Sequence, residues 1–398
     1  MSRSVIVAAG CALAAFAGVA RADAPARPGE AAMDGRAWMI AFGPAAVEGG
    51  FAPPVAVARG VVAFAVGRSV HAVDPAAGRE RWEAARPEAD APLAPVAAGD
   101  LFAVANGPKL RGLDALDGHQ KWLTPLADGD ARDAPVVAGG MVVVSAGLPY
   151  ETHEGQPGAL LAFDAATGEQ AWRKDTAKWP VMALAAAGTD AFAFAPPATL
   201  RAIDAKTGRE RWKHVAPVGC SAFGIGVHRD VLALSLCGER LGIVAATGRE
   251  AWRRPESRGK LAAAGAGVLV FRTDGGLEAA DLATGATRWT WARPDATPGP
   301  VASDAGAVFL ANAATVVAID ATTGRERWTT TGSHPVEQLW SSPTSLWVAS
   351  GDRLVEVDPA DGKVRQSWHV PAKVLFPITT VGDVKVFFDA NGNLHGVR

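Results

Sequence analysis

Leu200-Arg201-Ala202-Ile203-Asp204-Ala205-Lys206-Thr207-Gly208-Arg209-Glu210-Arg211-Trp212 is the stretch on which the reading of this chain turns. An apolar run leads into an Asp, a Gly follows four residues later, and a Trp four residues after that. Asp204 is placed to bond backbone amides of a turn in which Gly208 takes a positive φ, so the stretch predicts a hairpin between two strands. Leu200 to Ile203 carries apolar side chains on both faces, which predicts a strand covered on both sides.

The phrase recurs along the chain. Its glycines are Gly78, Gly118, Gly168, Gly208, Gly248, Gly285, Gly324 and Gly362, at spacings of 40, 50, 40, 40, 37, 39 and 38. Trp stands at the same offset in the first seven copies (Trp82, Trp122, Trp172, Trp212, Trp252, Trp289 and Trp328), while the eighth delays it to Trp368. Asp precedes the Gly at Asp74, Asp114, Asp164, Asp204, Asp281, Asp320 and Asp358, with Val244 in its place in the fifth copy. A period near 40 belongs to a solenoid or a propeller. Two further short runs rich in β-branched residues or Ala lie upstream of each phrase, as at 135–138 and 141–145, which makes four strands per repeat. An eight-residue stretch with a helical period is hard to find after residue 22, so helical repeats are disfavoured. The expected fold is all-β, a β-propeller of four-stranded blades in which the small residue before the phrase lets sheets approach and the Trp wedges between them.

The ends fit this reading. Asp34 to Trp38 resembles the back half of a phrase, and Leu394 to Arg398 a front half that stops at its turn. Together they predict one blade shared by the termini and closing the ring. Repeat arithmetic then gives nine blades, or eight if the fifth copy is not a full blade.

With 398 residues, 49% hydrophobic and 20% charged, the chain is long and apolar enough to bury a large core, which excludes disorder as its main state. A formal charge of −2 gives no electrostatic footprint for nucleic acid. Residues 1–22 read as a signal peptide, with Arg3 before an apolar stretch and Ala20-Arg21-Ala22 as the cleavage site. Lipidation of Cys11 is the rival reading of that segment, and it is disfavoured because the hydrophobic stretch continues well past Cys11. Residues 23–33 read as a linker and 34–398 as the propeller. No other run reaches the ~20 apolar residues of a membrane-spanning helix, so a soluble, monomeric protein in the periplasm or outside the cell is expected.

The phrase resembles the repeat of the pyrroloquinoline quinone (PQQ)-like propellers, over about residues 34–398. That family divides into quinoprotein dehydrogenases and a non-catalytic branch of outer-membrane barrel assembly (BamB-like) proteins. The resemblance implies for the dehydrogenases a calcium held by carboxylate and amide oxygens, a catalytic Asp and a vicinal Cys-Cys pair. This chain has Cys only at Cys11, Cys220 and Cys237. It is also short for such an enzyme, and its tight loops leave little material to cap a cofactor. The expectation is therefore a scaffold that binds a protein partner in the bacterial envelope, with no cofactor, no metal and no catalytic residue. A quinoprotein dehydrogenase and a carbohydrate- or ligand-sensing propeller are the alternatives.

The 50-residue spacing comes from an insertion at 147–158 carrying Tyr150, Glu151, His153 and Glu154, a candidate partner loop because recognition concentrates on loops of a rigid scaffold. The eight histidines fall in different repeats and predict no metal site. Trp340 and Trp347 read as core residues of the eighth repeat. The Arg-Glu-Arg of the phrase reads as a solvated outer strand. Cys220 and Cys237 flank two runs, Ser221 to Val227 and Val231 to Leu236, joined by a turn around residues 228–230. Opposed residues of an antiparallel hairpin have position numbers of constant sum, so the two cysteines should face each other and form a disulfide in an oxidising compartment.

Overall fold

The sheet order follows from chain locality: successive strands are joined by short turns, so each repeat folds into an antiparallel meander of its own. The structure is a computed structural model. It describes residues 30–398 apart from 34–36, 51, 89–92, 128, 148–157, 177–180, 182, 196–198, 216–221, 229, 237–238, 256–259, 274–275, 293–298, 305 and 371. These residues form nine antiparallel sheets, and the fold class is that of a nine-bladed β-propeller. Among the described residues there is no α-helix, only one 3-10 segment at Pro44–Gly50.

Blades are numbered here by their phrase. The first runs Ala56–Ala58, Val61–Val66, Ser69–Asp74 and Arg79–Ala85. The fifth, whose phrase has Val244 for Asp, is a complete four-stranded blade, Ala222–His228, Val231–Leu236, Glu239–Val244 and Glu250–Pro255. The ninth joins the ends: Ala37–Ala41 pairs antiparallel with Asn393–Val397, Trp38 opposite Gly396. Glu30–Met33, in the stretch read as linker, pairs with Ala37–Ala41 as an added strand. The chain divides into two compact units, one holding the first four blades with the ninth, the other the fifth to the eighth.

Inside each blade the second and third strands are buried. Val61–Val66 and Leu101–Asn106 are covered nearly end to end, whereas the fourth strands alternate with exposed positions. In the eighth blade Trp347, 2% exposed, lies on the second strand opposite the half-buried Trp340 of the first. The first strands of successive blades lie against one another, first to fourth in one unit and sixth to eighth in the other. They mark the inner edge of each unit.

The phrase builds the junction between blades. In the sixth blade Trp289 sits opposite Ala279 of its own third strand, and its indole N–H donates to the carbonyl of Ala321 in the seventh blade at 2.9 Å. Its ring covers Gly324 there. That glycine has φ +73°, and a Cβ on it would lie 2.7 Å from the Trp289 ring, so the residue answers both to the turn and to the indole. The same bond links Trp38 to Pro75, Trp82 to Ala115, Trp122 to Ala165, Trp172 to Ala205, Trp252 to Leu282 and Trp328 to Pro359. The rings lie over Gly78, Gly118, Gly168, Gly208, Gly285 and Gly362 in turn. Trp212 lies opposite Ala202 and 6.0 Å from the Phe192 ring.

The Asp of the phrase closes the turn. Asp320 Oδ1 accepts the amides of Thr322 and Thr323 at 3.0 and 2.8 Å and the Thr323 hydroxyl at 3.0 Å. Asp164, Asp204 and Asp281 repeat the bonds to the Thr three residues on. The remaining carboxylate oxygen takes a cation from the fourth strand. A bulge at the third residue after the phrase Gly shifts the register in each of the first eight blades, pairing resuming at the Trp in the first seven and at Gln366 in the eighth. The extra residue is often basic: Arg81 reaches Asp74 at 3.0 Å, Lys121 Asp114 at 3.4 Å, Arg211 Asp204 at 2.8 Å, Arg327 Asp320 at 2.6 Å and Arg365 Asp358 at 2.6 Å. Arg288 pairs with Asp281 in the same way. The second Arg of Arg-Glu-Arg thus has a structural partner that a solvated outer strand does not imply.

Two predictions follow from this junction. Trp289→Ala should cost about 3–5 kcal/mol, and Gly324→Ala about 1–3 kcal/mol through overlap with the indole and a left-handed backbone. In the double variant the added methyl meets no ring, so denaturant melts should give a loss well below the sum; additive losses would sink the packing account.

The second concerns acid. The Asp320 carboxyl is held far below the ordinary carboxylate range, first by Arg327 and then by the Thr323 amide. Asp204 is lowered by the Thr207 hydroxyl and amide, Asp164 by the Thr167 amide and Asp114 by the Leu116 amide. A carboxyl lowered by folding stabilises the protein above its unfolded pKa and loses that contribution as pH falls towards the folded value. Tm should be level from neutral pH down to about pH 5 and then fall steeply below about pH 4. A Tm unchanged between pH 6 and pH 3 would contradict it.

Candidate functional site

The inner edge of the first four blades is apolar. First strands Ala56–Ala58, Val96–Ala98, Val136–Ala138 and Ala183–Ala187 consist of Ala, Val and Leu alone. Just before the third of these, Asp133 has its carboxyl pushed up by burial, an effect opposed by the amides of Ala134 and Leu184. Neighbouring Asp130–Ala131 pairs with Ala146 and Gly147, and Arg132 Nε donates to the Gly147 carbonyl at 2.8 Å. These bonds pin the stem from which the insertion rises. The candidate loop residues Tyr150, Glu151, His153 and Glu154 lie outside the described residues, as do Cys220 and Cys237. The strands between those cysteines, Ala222–His228 and Val231–Leu236, are neighbours in the fifth blade.

A group that carried no expectation from sequence lies on the outer half of the first blade. His71 faces Glu83 across the third and fourth strands, and the bulge at Arg81 turns Glu80 to the same face. His71 Nδ1 stands 2.6 Å from Glu80 Oε1, and the Ser69 hydroxyl donates to Glu83 Oε1 at 2.6 Å. One ligand atom from each of His71, Glu80 and Glu83 falls within 4.8 Å of the others. The Phe64 ring stacks on His71 at 5.9 Å, with Phe42 edge-on at 4.9 Å. The sequence signal was available in the repeat itself, because a third-strand residue meets the residue nine positions later across the bulge. Arg111 bonds Gln120 and Arg201 pairs with Glu210 by that same rule.

A PQQ-type quinone with its calcium calls for oxygen donors gathered around it and a vicinal disulfide beside it. The chain has no adjacent cysteines, the first strands of four blades offer no side-chain oxygen, and the His71 group sits on the outer strands. The first strands of the seventh and eighth blades do carry oxygens, at Ser303, Asp304, Gln338 and Ser341, so the missing cysteine pair is the feature that sets this chain apart from such a site. No described helix is long and apolar enough to cross a membrane.

Similarity to known proteins agrees with the propeller. The quinohemoprotein alcohol dehydrogenase of Comamonas testosteroni superposes with a TM-score of 0.52 at 14% identity, over 91% of this chain and 76% of that one. The computationally designed Ika8 protein gives 0.51 at 14% identity, covering 76% and 94%. BamB of Moraxella catarrhalis gives 0.47 at 16%, covering 86% and 93%. At such identities the likeness is one of fold alone. No curated protein matches the chain in sequence. The family model described as outer membrane protein assembly factor BamB matches residues 66–290 and 238–385, which is most of the chain, and the protein therefore belongs to that family of PQQ-like repeat propellers.

Proposed function

We propose that the chain is a non-catalytic propeller scaffold of the bacterial envelope, exported by residues 1–22 and holding a protein partner in outer-membrane protein assembly. The family match through residues 66–385 carries this reading, since the family is described by an assembly factor. The lack of a vicinal cysteine pair in the sequence supports it. So do the bonds of Asp130–Ala131 and Arg132 to Ala146 and Gly147, which hold the chain on the scaffold where the insertion with Tyr150, Glu151, His153 and Glu154 begins in sequence, because recognition concentrates on loops of a rigid scaffold. A Cys220–Cys237 disulfide suits the same oxidising compartment.

The native protein should begin at or near Asp23 by mass spectrometry, without lipid, and should show no free thiol when unfolded without reductant. Purified with added PQQ and calcium, it should not oxidise alcohols or sugars in a dye-linked assay; turnover would overturn the scaffold reading in favour of a quinoprotein dehydrogenase. Used as bait on envelope extract, it should retain a component of outer-membrane protein assembly. Replacing residues 148–157 by a short turn should abolish that retention with little change in Tm, and full retention would move the partner surface elsewhere.

A further inference from the structure

We propose that His71, Glu80 and Glu83 form a binding site for a divalent transition-metal cation of the zinc type, open to solvent on the outer face of the first blade. An imidazole with two carboxylates is a donor set such cations accept, with water free to fill the remaining position beside the exposed Glu83. Ligand atoms in a tetrahedral zinc site stand about 3.4 Å apart. The 2.6 Å His71–Glu80 contact has to open slightly and the wider separations, all within 4.8 Å, to close, which two long Glu side chains on the strand beside His71 allow. Two features are already in place. The Phe42 and Phe64 rings fix the plane of the imidazole, and Ser69 orients Glu83 from outside the ligand set.

The same three positions in other blades give the independent argument. In the fourth blade they are Arg201, Glu210 and Lys213, and the Arg201 guanidinium lies 3.5 Å from Glu210. Fifth-blade Glu250 pairs with Arg253 at 2.9 Å, sixth-blade Glu278 with Arg254, and seventh-blade Glu326 accepts the Trp291 indole N–H at 3.1 Å. In the first blade two carboxylates gather with no lysine or arginine among their described partners, only an imidazole and a hydroxyl. A bound dication supplies the positive charge that a guanidinium brings to Glu210. The ninth blade repeats a His at the equivalent place, His395, but pairs it with Asp389 at 2.8 Å in a sealed interior, which leaves the first blade as the described His–carboxylate group of this position open to a metal.

The test uses the full mature protein, freed of metal with a chelator. Isothermal titration with zinc chloride should give one equivalent bound per chain, and cobalt(II) chloride should give the visible absorption bands of a low-symmetry site. His71→Gln and Glu83→Gln should each weaken zinc binding about tenfold or more, while metal-free melts stay near the parent value. Zinc should raise the Tm of the parent and not of the variants. His369→Gln, at an exposed His–Asp pair elsewhere, should bind as the parent does. Absence of binding at millimolar zinc overturns the proposal, as does an unchanged affinity in the His71→Gln, Glu83→Gln double variant. Should His71→Gln fail to fold, Glu83→Gln at the exposed rim decides alone.

Discussion

The indole of one blade resting on the turn glycine of the next is the contact on which the remaining structure depends. It joins three demands in one place: a ring to cover apolar surface between sheets, an N–H that must find an acceptor when buried, and a turn that needs a left-handed residue. Trp289 meets the first two through Ala321 and the third through Gly324. Because the acceptor is the carbonyl that follows the phrase Asp, the turn must be held in one conformation for the indole to bond it. That accounts for the attention the chain gives to Asp320, whose two oxygens are shared among two amides, a hydroxyl and Arg327.

Each blade therefore has a committed face and a freer one. Trp and the small residue opposite it, such as Trp122 over Gly112 or Trp252 over Gly242, occupy the committed face and scarcely vary in kind. The bulge one residue before the Trp turns the preceding polar side chain to the other face, where it meets the variable third-strand residue. Polar chemistry can change there from blade to blade without disturbing the junction, and it does: His71 with Glu80, Arg111 with Gln120, Arg201 with Glu210, Glu278 with Thr287.

This division explains what was legible in the sequence. Periodic Asp, Gly and Trp announce turns and packing, so blade boundaries and the shared terminal blade could be read directly, and Trp38 pairs with Gly396. The fifth blade forms despite Val244, because the backbone bond from Gly248 to the Val244 carbonyl, 2.8 Å, persists without the carboxylate. The added strand at Glu30–Met33 carries no phrase, so its sequence does not set it apart from a linker. The His71 group was missed for a different reason. Its members are nine and twelve residues apart and belong together only through a bulge, whereas spacing rules for metal ligands assume regular helices or strands. The eighth blade shows the same effect: with Gln366 at the Trp position, Glu356 takes the place of the small residue, buried and bonded to Ser345 at 2.5 Å.

How far a buried or half-buried charge reaches depends on what neutralises it. Arg86, fully buried, is held by the carbonyls of Gly67, Leu93 and Ala105 with no carboxylate among its described partners, and burial lowers its pKa. Arg254 is buried too, but it meets Glu278 and lies 5.0 Å over the Phe271 ring. In both cases the charge is closed off inside the packing between blades, where it fixes geometry and is unreachable from solvent. The His71 group differs on both counts, having an excess of negative charge and an open side. The junctions on either side of the first blade place Trp38 on Gly78 and Trp82 on Gly118, and the two indole bonds there go to backbone carbonyls and not to the carboxylates of this group.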